Sequence, residues 1–237
     1  MSRSTRTLAV ASLLAAGAHA AAAGTITGTV TYEGKVPALK PLDVAAEPVC
    51  AKKHPTVPNE VLVLGPGNTM ANIMVRVVGG LPAGKTYPPP AQPVVMDQQG
   101  CQYVPHVMGI MVGQQFKVLN SDGVLHNVHA LPNVNQQFNL AMPPARKEAT
   151  ATFGKEEGMF VIKCDVHPWM RSYIGVMSNP FFVVTRTDGK FEIPNLPAGT
   201  YQIEAWHERL GTQKASVTVG ATETKPVSFK FTAPAAK

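Results

Sequence analysis

The stretch FVIKCDVHPWM, residues 160–170, joins a short apolar run to a loop that carries three possible metal ligands. The apolar run predicts a β-strand, and Cys164 lies at its end. His167 and Met170 follow at intervals of three residues, so a short loop can turn both side chains back towards the sulfur. The stretch therefore predicts a compact site that offers a thiolate, an imidazole and a thioether.

These three donors suit copper that cycles between Cu(II) and Cu(I). One Cys and two His in a plane, with a long axial Met, compromise between the geometries that the two oxidation states prefer. The second imidazole must come from elsewhere, and His126 in the run LHNVH, residues 125–129, is our candidate. Zinc is the alternative metal, but structural zinc sites use several thiolates, and the chain has only three Cys. A buried thiol beside an unrelated loop, with no metal, is the third interpretation.

Two further residues of the loop would shape such a site. Pro168 fixes one backbone torsion and removes one backbone donor. Trp169 adds a bulky apolar cover that would keep water from the sulfur, and the dryness around a metal tunes its potential.

The motif CDVHPWMR, residues 164–171, preceded by GMFVIK, resembles the ligand loop of the cupredoxins, and of their amicyanin and plastocyanin-like members in particular. The run VGQQFKVLNSD, residues 112–122, followed by a His-Asn pair, is also similar to that family. The resemblance implies one type 1 copper per chain. The ligands that it implies are His126, Cys164, His167 and Met170.

The same resemblance implies roles for the neighbouring residues. Asn127 would form a hydrogen bond near the sulfur. The electron would leave through an exposed edge of His167, and Trp169 and Met170 would be prominent in an apolar docking patch around it.

Composition favours an all-β protein. Charged residues make up only 15% of the chain, which also contains 21 Pro and 20 Gly, and Val and Thr occur in short runs. We expect a cupredoxin-like Greek-key β-sandwich over residues 93–179. Within it, residues 138–142 and 149–153 look like a hairpin that leads to the metal loop.

A second set of strands surrounds this unit. The run DGKFEIPNLPAGTY, residues 188–201, resembles the carboxypeptidase regulatory-like (transthyretin-type) sandwiches, and its Asp-Gly pair predicts a hairpin turn. The alternating run GTITGTV, residues 24–30, is similar to the first strand of those domains. We predict a small discontinuous β-sandwich from residues 24–92 plus 180–234. Two domains in series are the alternative.

Residues 1–23 predict a secretory signal peptide, because Arg3 and Arg6 precede a short apolar run and small residues. No later stretch is long and apolar enough to span a membrane. The protein is therefore expected in a periplasm or outside the cell. Without residues 1–23 the chain carries 19 basic against 15 acidic residues, which suits an acidic redox partner, and no basic run suggests nucleic acid.

The three cysteines are Cys50, Cys101 and Cys164. If copper occupies Cys164, the other two are expected to form a disulfide in an oxidising compartment. Two separate buried thiols are the alternative.

Several residues could be mistaken for ligands or add to them. Met177 is a rival axial ligand, although a place in the core is expected. His129 lies three residues after His126, which on a strand points it to the opposite face. His129, His106 or His207 could each hold a second metal, but a structural or surface role is expected.

The sequence therefore favours a periplasmic type 1 blue copper protein that carries single electrons and is not an enzyme. The resemblance implies a quinone-dependent dehydrogenase as donor and a c-type cytochrome as acceptor. One alternative is a copper-dependent oxidoreductase with a second metal at His129 or His106. Another is a cell-envelope binding module in which the metal site is vestigial. No Ser/His/Asp constellation or carboxylate pair indicates other catalysis.

Overall fold

The computed structural model describes residues 23–233, so residues 1–22 of the predicted signal peptide lie outside the described part. The fold is all-β, as predicted, with one short α-helix and one turn of 3-10 helix, Pro66–Asn68, among the described residues. The elements in chain order are β1 Gly24–Glu33, α1 Pro48–Lys53, β2 Met74–Gly79, β3 Val94–Gln99, β4 Gln102–Val104, β5 Val107–Met111, β6 Gln115–Asn120, β7 His126–Ala130, β8 Phe138–Met142, β9 Glu148–Thr152, β10 Glu157–Lys163, β11 Arg171–Met177, β12 Phe182–Val184, β13 Lys190–Leu196, β14 Gly199–His207, β15 Gly211–Val219 and β16 Thr224–Thr232.

The strands between residues 94 and 177 form two sheets, with the orders β5-β11-β10-β7-β8 and β4-β3-β6-β9. Alternate side chains of the two sheets meet in one buried core. Met96 and Phe116 come from one sheet, and Val128 and Ile162 from the other. This cupredoxin-like sandwich buries Cys164 and Met170 in the same core.

The remaining strands also form two sheets, with the orders β13-β1-β16 and β12-β2-β14-β15. Their shared core includes Ile26, Val75, Ile203 and Phe231. β1 lies at the centre of its sheet, antiparallel to β13 and parallel to β16. We call this second unit the β1–β16 sandwich.

A further apolar cluster joins the two sandwiches. Met74 of β2 is buried with Val107 of β5 and Met177 of β11, and Phe182 of β12 packs against them. The guanidinium of Arg76 on β2 also donates to Sδ of Met177, at 3.6 Å. The contacts between the sandwiches therefore combine apolar packing with polar side-chain contacts.

Both expected hairpins were wrong. β8 pairs with β7, whereas β9 pairs with β6 in the opposite sheet. Residues 143–147 begin with two prolines, which cannot donate to a ladder, and the chain crosses between the sheets there. Likewise β12 pairs with β2 and β13 with β1, so the turn at Asp188 and Gly189 also changes sheets.

Two elements were missed from the sequence. β16 alternates Val227, Phe229 and Phe231 with polar residues, a pattern that favours a strand. α1 is only six residues long and carries no clear sequence signal. No helix within residues 23–233 is long and apolar enough to cross a membrane.

Candidate metal centre

The strand register brings the site residues to one end of the cupredoxin-like sandwich. β7 begins at His126 and runs antiparallel to β10, with Lys163 opposite His129. Cys164 immediately follows β10, so the start of β7 and the end of β10 lie at the same edge of the sheet. β11 then begins one residue after Met170, so the loop that carries the other two candidates is closed on both sides by strands.

Three of the four candidate ligands converge. Nδ1 of His126 lies 2.9 Å from Nδ1 of His167, and Sγ of Cys164 lies 3.7 Å from the same His167 nitrogen. One donor atom from each residue falls within 4.8 Å of the others. All three side chains are almost wholly buried, with exposed fractions of 0%, 2% and 1% for His126, Cys164 and His167.

Met170 is buried at the same loop. Its backbone N–H donates to the carbonyl of His167 at 2.9 Å, and its carbonyl accepts the N–H of Cys164 at 3.2 Å. These two bonds fold the loop tightly and place Met170 in the core that also contains Cys164. Met170 therefore does not form part of an exposed docking patch, contrary to expectation.

Asn127 ties the sulfur to the neighbouring strand. Its amide oxygen accepts the backbone N–H of Asp165 at 2.7 Å and lies 3.2 Å from Sγ of Cys164, which donates to it. The amide nitrogen donates to side chains of Asn139 and Asp165, which fixes the orientation of the amide. Asn127 thus lies between the sulfur and the side chain of Asp165.

The environment of the cluster favours a thiolate. Burial alone would raise the pKa of the Cys164 thiol, but a hydrogen bond with His126 and nearby backbone N–H groups bring its pKa below the ordinary value. Burial likewise opposes the charged form of His126, yet Asp122 and Cys164 raise its pKa. Burial lowers the pKa of His167, and the neighbouring His126 lowers it further.

Asp122 is a site residue that sequence reasoning missed. Its buried carboxylate accepts from Nε2 of His126 at 3.0 Å. Burial would raise the pKa of Asp122, but bonds from His126 and from the N–H groups of Cys101 and Gly100 hold it below the usual range. The only sequence signal is an acid four residues before His126, in a Ser-Asp-Gly run that is typical of a turn.

The exposed edge expected for His167 is absent from the structure. The segment that includes α1 covers the loop, and the predicted disulfide between Cys50 and Cys101 is confirmed, with the sulfurs 2.01 Å apart. Glu47, the N-cap residue of α1, has a carboxylate oxygen 3.7 Å from Nε2 of His167. That nitrogen is buried and has no hydrogen-bond partner among residues 23–233. We call residues 41–57 the cap.

Trp169 lies at one side of the cluster, against His167. Its ring lies 5.1 Å from the ring of His167, and its indole N–H donates to the carbonyl of Cys101 at 3.0 Å. Trp169 also packs against the apolar cluster of the cap that contains Cys50. Pro168 is exposed beside it.

The other candidates lie apart from this cluster. Nδ1 of His129 contacts the carboxylate of Asp165 at 2.9 Å, and Met177 is buried in the cluster between the sandwiches. His106 lies between two carboxylates, with Nε2 2.5 Å from Glu208 and Nδ1 3.7 Å from Glu60.

His207 has a structural role at the end of β14. Its Nδ1 accepts the backbone N–H groups of Arg209 and Leu210, at 3.1 and 3.2 Å. Its other neighbours include the ring of Phe231. These bonds hold the turn into β15.

Two groups of three possible ligands occur among the described residues, and only one offers a thiol. The second group, His54, Cys101 and Asp122, contains a sulfur that belongs to the disulfide. In the first group two Nδ1 atoms face each other at 2.9 Å, so one of them must carry a proton when nothing lies between them. A cation would let both imidazoles be neutral donors beside the thiolate, so the residues fit a soft metal.

Comparisons with known proteins return copper proteins among solved structures, at low similarity. A copper-containing nitrite reductase from Thermus scotoductus SA-01 is 23% identical, with a TM-score of 0.34, and the match covers 43% of this chain and 26% of that one. An oxidised amicyanin variant is 20% identical, with a TM-score of 0.33, over 44% of this chain and 98% of that one. A purple cupredoxin from Nitrosopumilus maritimus is 22% identical, with a TM-score of 0.30, over 35% and 98% of the two chains.

Sequence comparisons add little. The family model that matches, over residues 154–227, is described as domain II of polysaccharide lyase family 4. No curated protein matches the chain. The resemblance to carboxypeptidase regulatory-like domains therefore stays a prediction.

Proposed function

We propose that this chain is a type 1 copper protein that carries single electrons, with His126, Cys164, His167 and Met170 as the ligands. The observation that carries the proposal is the convergence of two imidazole Nδ1 atoms and one thiol inside a buried pocket. Copper bound there would supply one-electron redox chemistry. The protein would hold the donors in place, because strands fix both sides of the ligand loop.

The surroundings of the donors support a redox role over a structural one. A structural zinc site typically uses several thiolates, whereas Cys164 is the one cysteine outside the disulfide. The buried thioether of Met170 at the same loop suits copper better than zinc. We infer that Met170 is the axial ligand and that Asn127, Pro168 and Trp169 shape the space around the sulfur.

The organisation of the chain would place this carrier next to a second module. We propose that residues 93–179 are the copper unit and that residues 24–92 plus 180–234 form a regulatory-like sandwich. The strand pairing supports this division, because the sheets of the two groups do not mix. The predicted signal peptide and the disulfide favour a periplasmic or secreted location. Partners would be a quinone-dependent dehydrogenase and a c-type cytochrome.

Optical and paramagnetic-resonance spectra of the copper-loaded mature protein test the proposal. We expect an intense blue colour from sulfur-to-copper charge transfer and one copper per chain. Cys164→Ser should abolish the colour, because the charge-transfer donor is lost. His129→Asn is the matched control, since its ring contacts Asp165 and not the cluster, and it should stay blue. A colourless wild type, or a blue Cys164→Ser, would overturn the proposal.

The axial assignment has its own test. Met170→Leu should raise the reduction potential and alter the spectrum, because a weak axial donor that favours Cu(II) is removed. Met177→Leu should leave both unchanged, because Met177 packs between the sandwiches. The assignment would be wrong if Met177→Leu produced the larger shift.

A further inference from the structure

We propose that Asp122 is a positioning residue of the metal centre, which holds His126 with its Nδ1 lone pair directed at Cys164 and His167. The inference rests on the proposed function, because it assigns a second contact to one of the proposed ligands. It concerns a carboxylate that is not one of the four proposed donors.

The chemistry of the contact sets the tautomer of His126. An ionised carboxylate can only accept hydrogen bonds, so Nε2 of His126, at 3.0 Å from Oδ2 of Asp122, must carry the proton. A neutral imidazole with a proton on Nε2 has a free lone pair on Nδ1. Nδ1 is the atom that faces His167. Asp122 therefore prepares the nitrogen that a metal would need.

The carboxylate is itself held by two backbone N–H groups in addition to His126. Oδ1 accepts the N–H of Gly100 at 2.7 Å, and Oδ2 accepts the N–H of Cys101 at 2.9 Å. Both residues have positive φ, 71° and 55°, and their successive N–H groups converge on one carboxylate. Asp122 cannot rotate away from His126 without leaving these two donors, of which that of Cys101 is buried, without their acceptor.

The backbone of Asp122 is fixed as firmly as its side chain. The amide of Asn120 donates to the carbonyls of Val124 and Met142, at 2.9 and 2.8 Å, which closes the loop on both sides of Asp122. Nζ of Lys53, at the end of α1, donates to the carbonyl of Asp122 at 3.0 Å. The position of Asp122 beside His126 is thus fixed by its own loop, by the turn at Gly100 and Cys101, and by the cap.

A purely structural role for Asp122 predicts different behaviour. If the carboxylate only held the turn at Gly100 and Cys101, its loss would lower the stability of the fold but leave the affinity of the donors for a metal intact. Replacing the hydrogen-bond partner of a metal-ligating His typically lowers metal affinity or activity by about 10–100-fold. Metal affinity and the tautomer of His126 are therefore the informative measurements.

The test compares wild type with Asp122→Asn in two experiments. Titration of the metal-free full chain with Co(II), followed by thiolate-to-cobalt absorption, should show about 10–100-fold weaker binding in the variant. Nitrogen NMR of the metal-free protein, recorded at a pH high enough for the His126 ring to be neutral, should show His126 with its proton on Nε2 in wild type. In Asp122→Asn the proton should be redistributed towards Nδ1.

Two controls separate positioning from loosening of the loop. Lys53→Met removes a bond to the carbonyl of Asp122 but leaves its carboxylate untouched. Asp97→Asn removes a nearby charge whose carboxylate is bonded to Ser121. Both should bind Co(II) as wild type does.

The outcomes also distinguish this inference from the proposed function. Normal Co(II) affinity in Asp122→Asn, an unchanged tautomer, or an equal loss in Lys53→Met would overturn the inference and leave the copper proposal standing. A wild type that bound neither Co(II) nor copper would overturn the copper proposal, and this inference with it.

Discussion

Glu157 shows how a single buried carboxylate organises the loop opposite the metal end of the fold. Its oxygens accept the backbone N–H groups of Asn133, Val134 and Asn135 and the side-chain amide of Asn135. Burial would raise the pKa of Glu157, but these donors hold it below its ordinary value. The charged form is therefore the one that the folded protein stabilises.

We predict that Glu157→Gln lowers the free energy of unfolding by about 1–3 kcal/mol at pH 7, because an amide nitrogen would face N–H donors. The pKa is lower in the folded state, so this stabilisation is present above the unfolded value of about 4.3 and is lost as the pH falls through the folded value. Urea unfolding at pH 7 and pH 3 measures both. Glu156→Gln, at the exposed neighbour, is the control and should have little effect at either pH. A penalty for Glu157→Gln that did not shrink in acid would contradict the assignment.

Residues that belong to a recognisable motif could be placed from sequence, but a residue whose contacts depend only on loop conformation could not. Cys164, His167 and Met170 share one loop, so their spacing alone predicted that they meet. The disulfide followed from counting three cysteines, and it is confirmed. The place of Asp122 in the site could not be predicted, because its contacts with Gly100 and Cys101 depend on the conformation of two distant turns.

At the scale of elements, the cap changes what can reach the metal centre. The disulfide joins two cysteines with a sequence separation of 51. Such a cross-link stabilises the fold mainly by restricting the conformations of the unfolded chain. In the folded protein the same tie keeps Glu47 and Trp169 against His167. Partners would therefore approach through or beside the cap and not through a bare imidazole edge.

We predict that Cys50→Ser/Cys101→Ser lowers the free energy of unfolding by about 2–4 kcal/mol and speeds removal of bound copper by a chelator. The physical reason for the second effect is that the cap can leave His167 when its tether is lost. Urea unfolding and the rate of colour loss in EDTA are the measurements.

Val49→Ala provides the control for that prediction. Val49 lies on the exposed side of α1, so its truncation changes the cap without releasing it. Colour loss should then proceed at the wild-type rate. Equal rates in the double variant and in wild type would mean that the cap does not restrict access.

Strand identity was predictable for most elements, whereas pairing was not. Alternation along residues 24–30 marked β1 as a strand directly. The predicted hairpins were wrong because a turn signal such as Asp188-Gly189 indicates only that the chain changes direction. It does not indicate which sheet the next strand joins. α1 was not predicted, because a helix of six residues that begins with proline shows almost no helical periodicity of apolar residues.

At the scale of the whole molecule, the apolar cluster around Met74 and Met177 joins the two sandwiches, and Gly109 lies beside it. A Cβ at this position on β5 would come within 2.6 Å of the ring of Phe182, on β12 of the other sandwich. It would also approach the terminal methyl of Met74 at 3.0 Å. The φ of Gly109 is not in the left-handed region, so the backbone conformation does not require glycine. Glycine is required because the two units pack closely at this position.

We predict that Gly109→Ala lowers the free energy of unfolding by about 1–3 kcal/mol, the usual cost of overpacking a core. Because the clash involves both sandwiches, both should lose stability together. The two tryptophans allow this to be measured, since Trp169 lies on the metal loop and Trp206 on β14. Urea unfolding of Trp206→Phe and Trp169→Phe backgrounds should give the same shifted midpoint.

Gly154→Ala separates this effect from the general cost of replacing glycine. A Cβ at Gly154 would meet no atom within 4 Å, and its φ lies outside the left-handed region. The change should therefore stay within about 0.5 kcal/mol of wild type. If Gly109→Ala shifted only the midpoint reported by Trp169, the sandwiches would unfold independently and the shared cluster would not couple them. A common shift would instead mean that packing around Phe182 makes the metal unit and the β1–β16 sandwich one cooperative body.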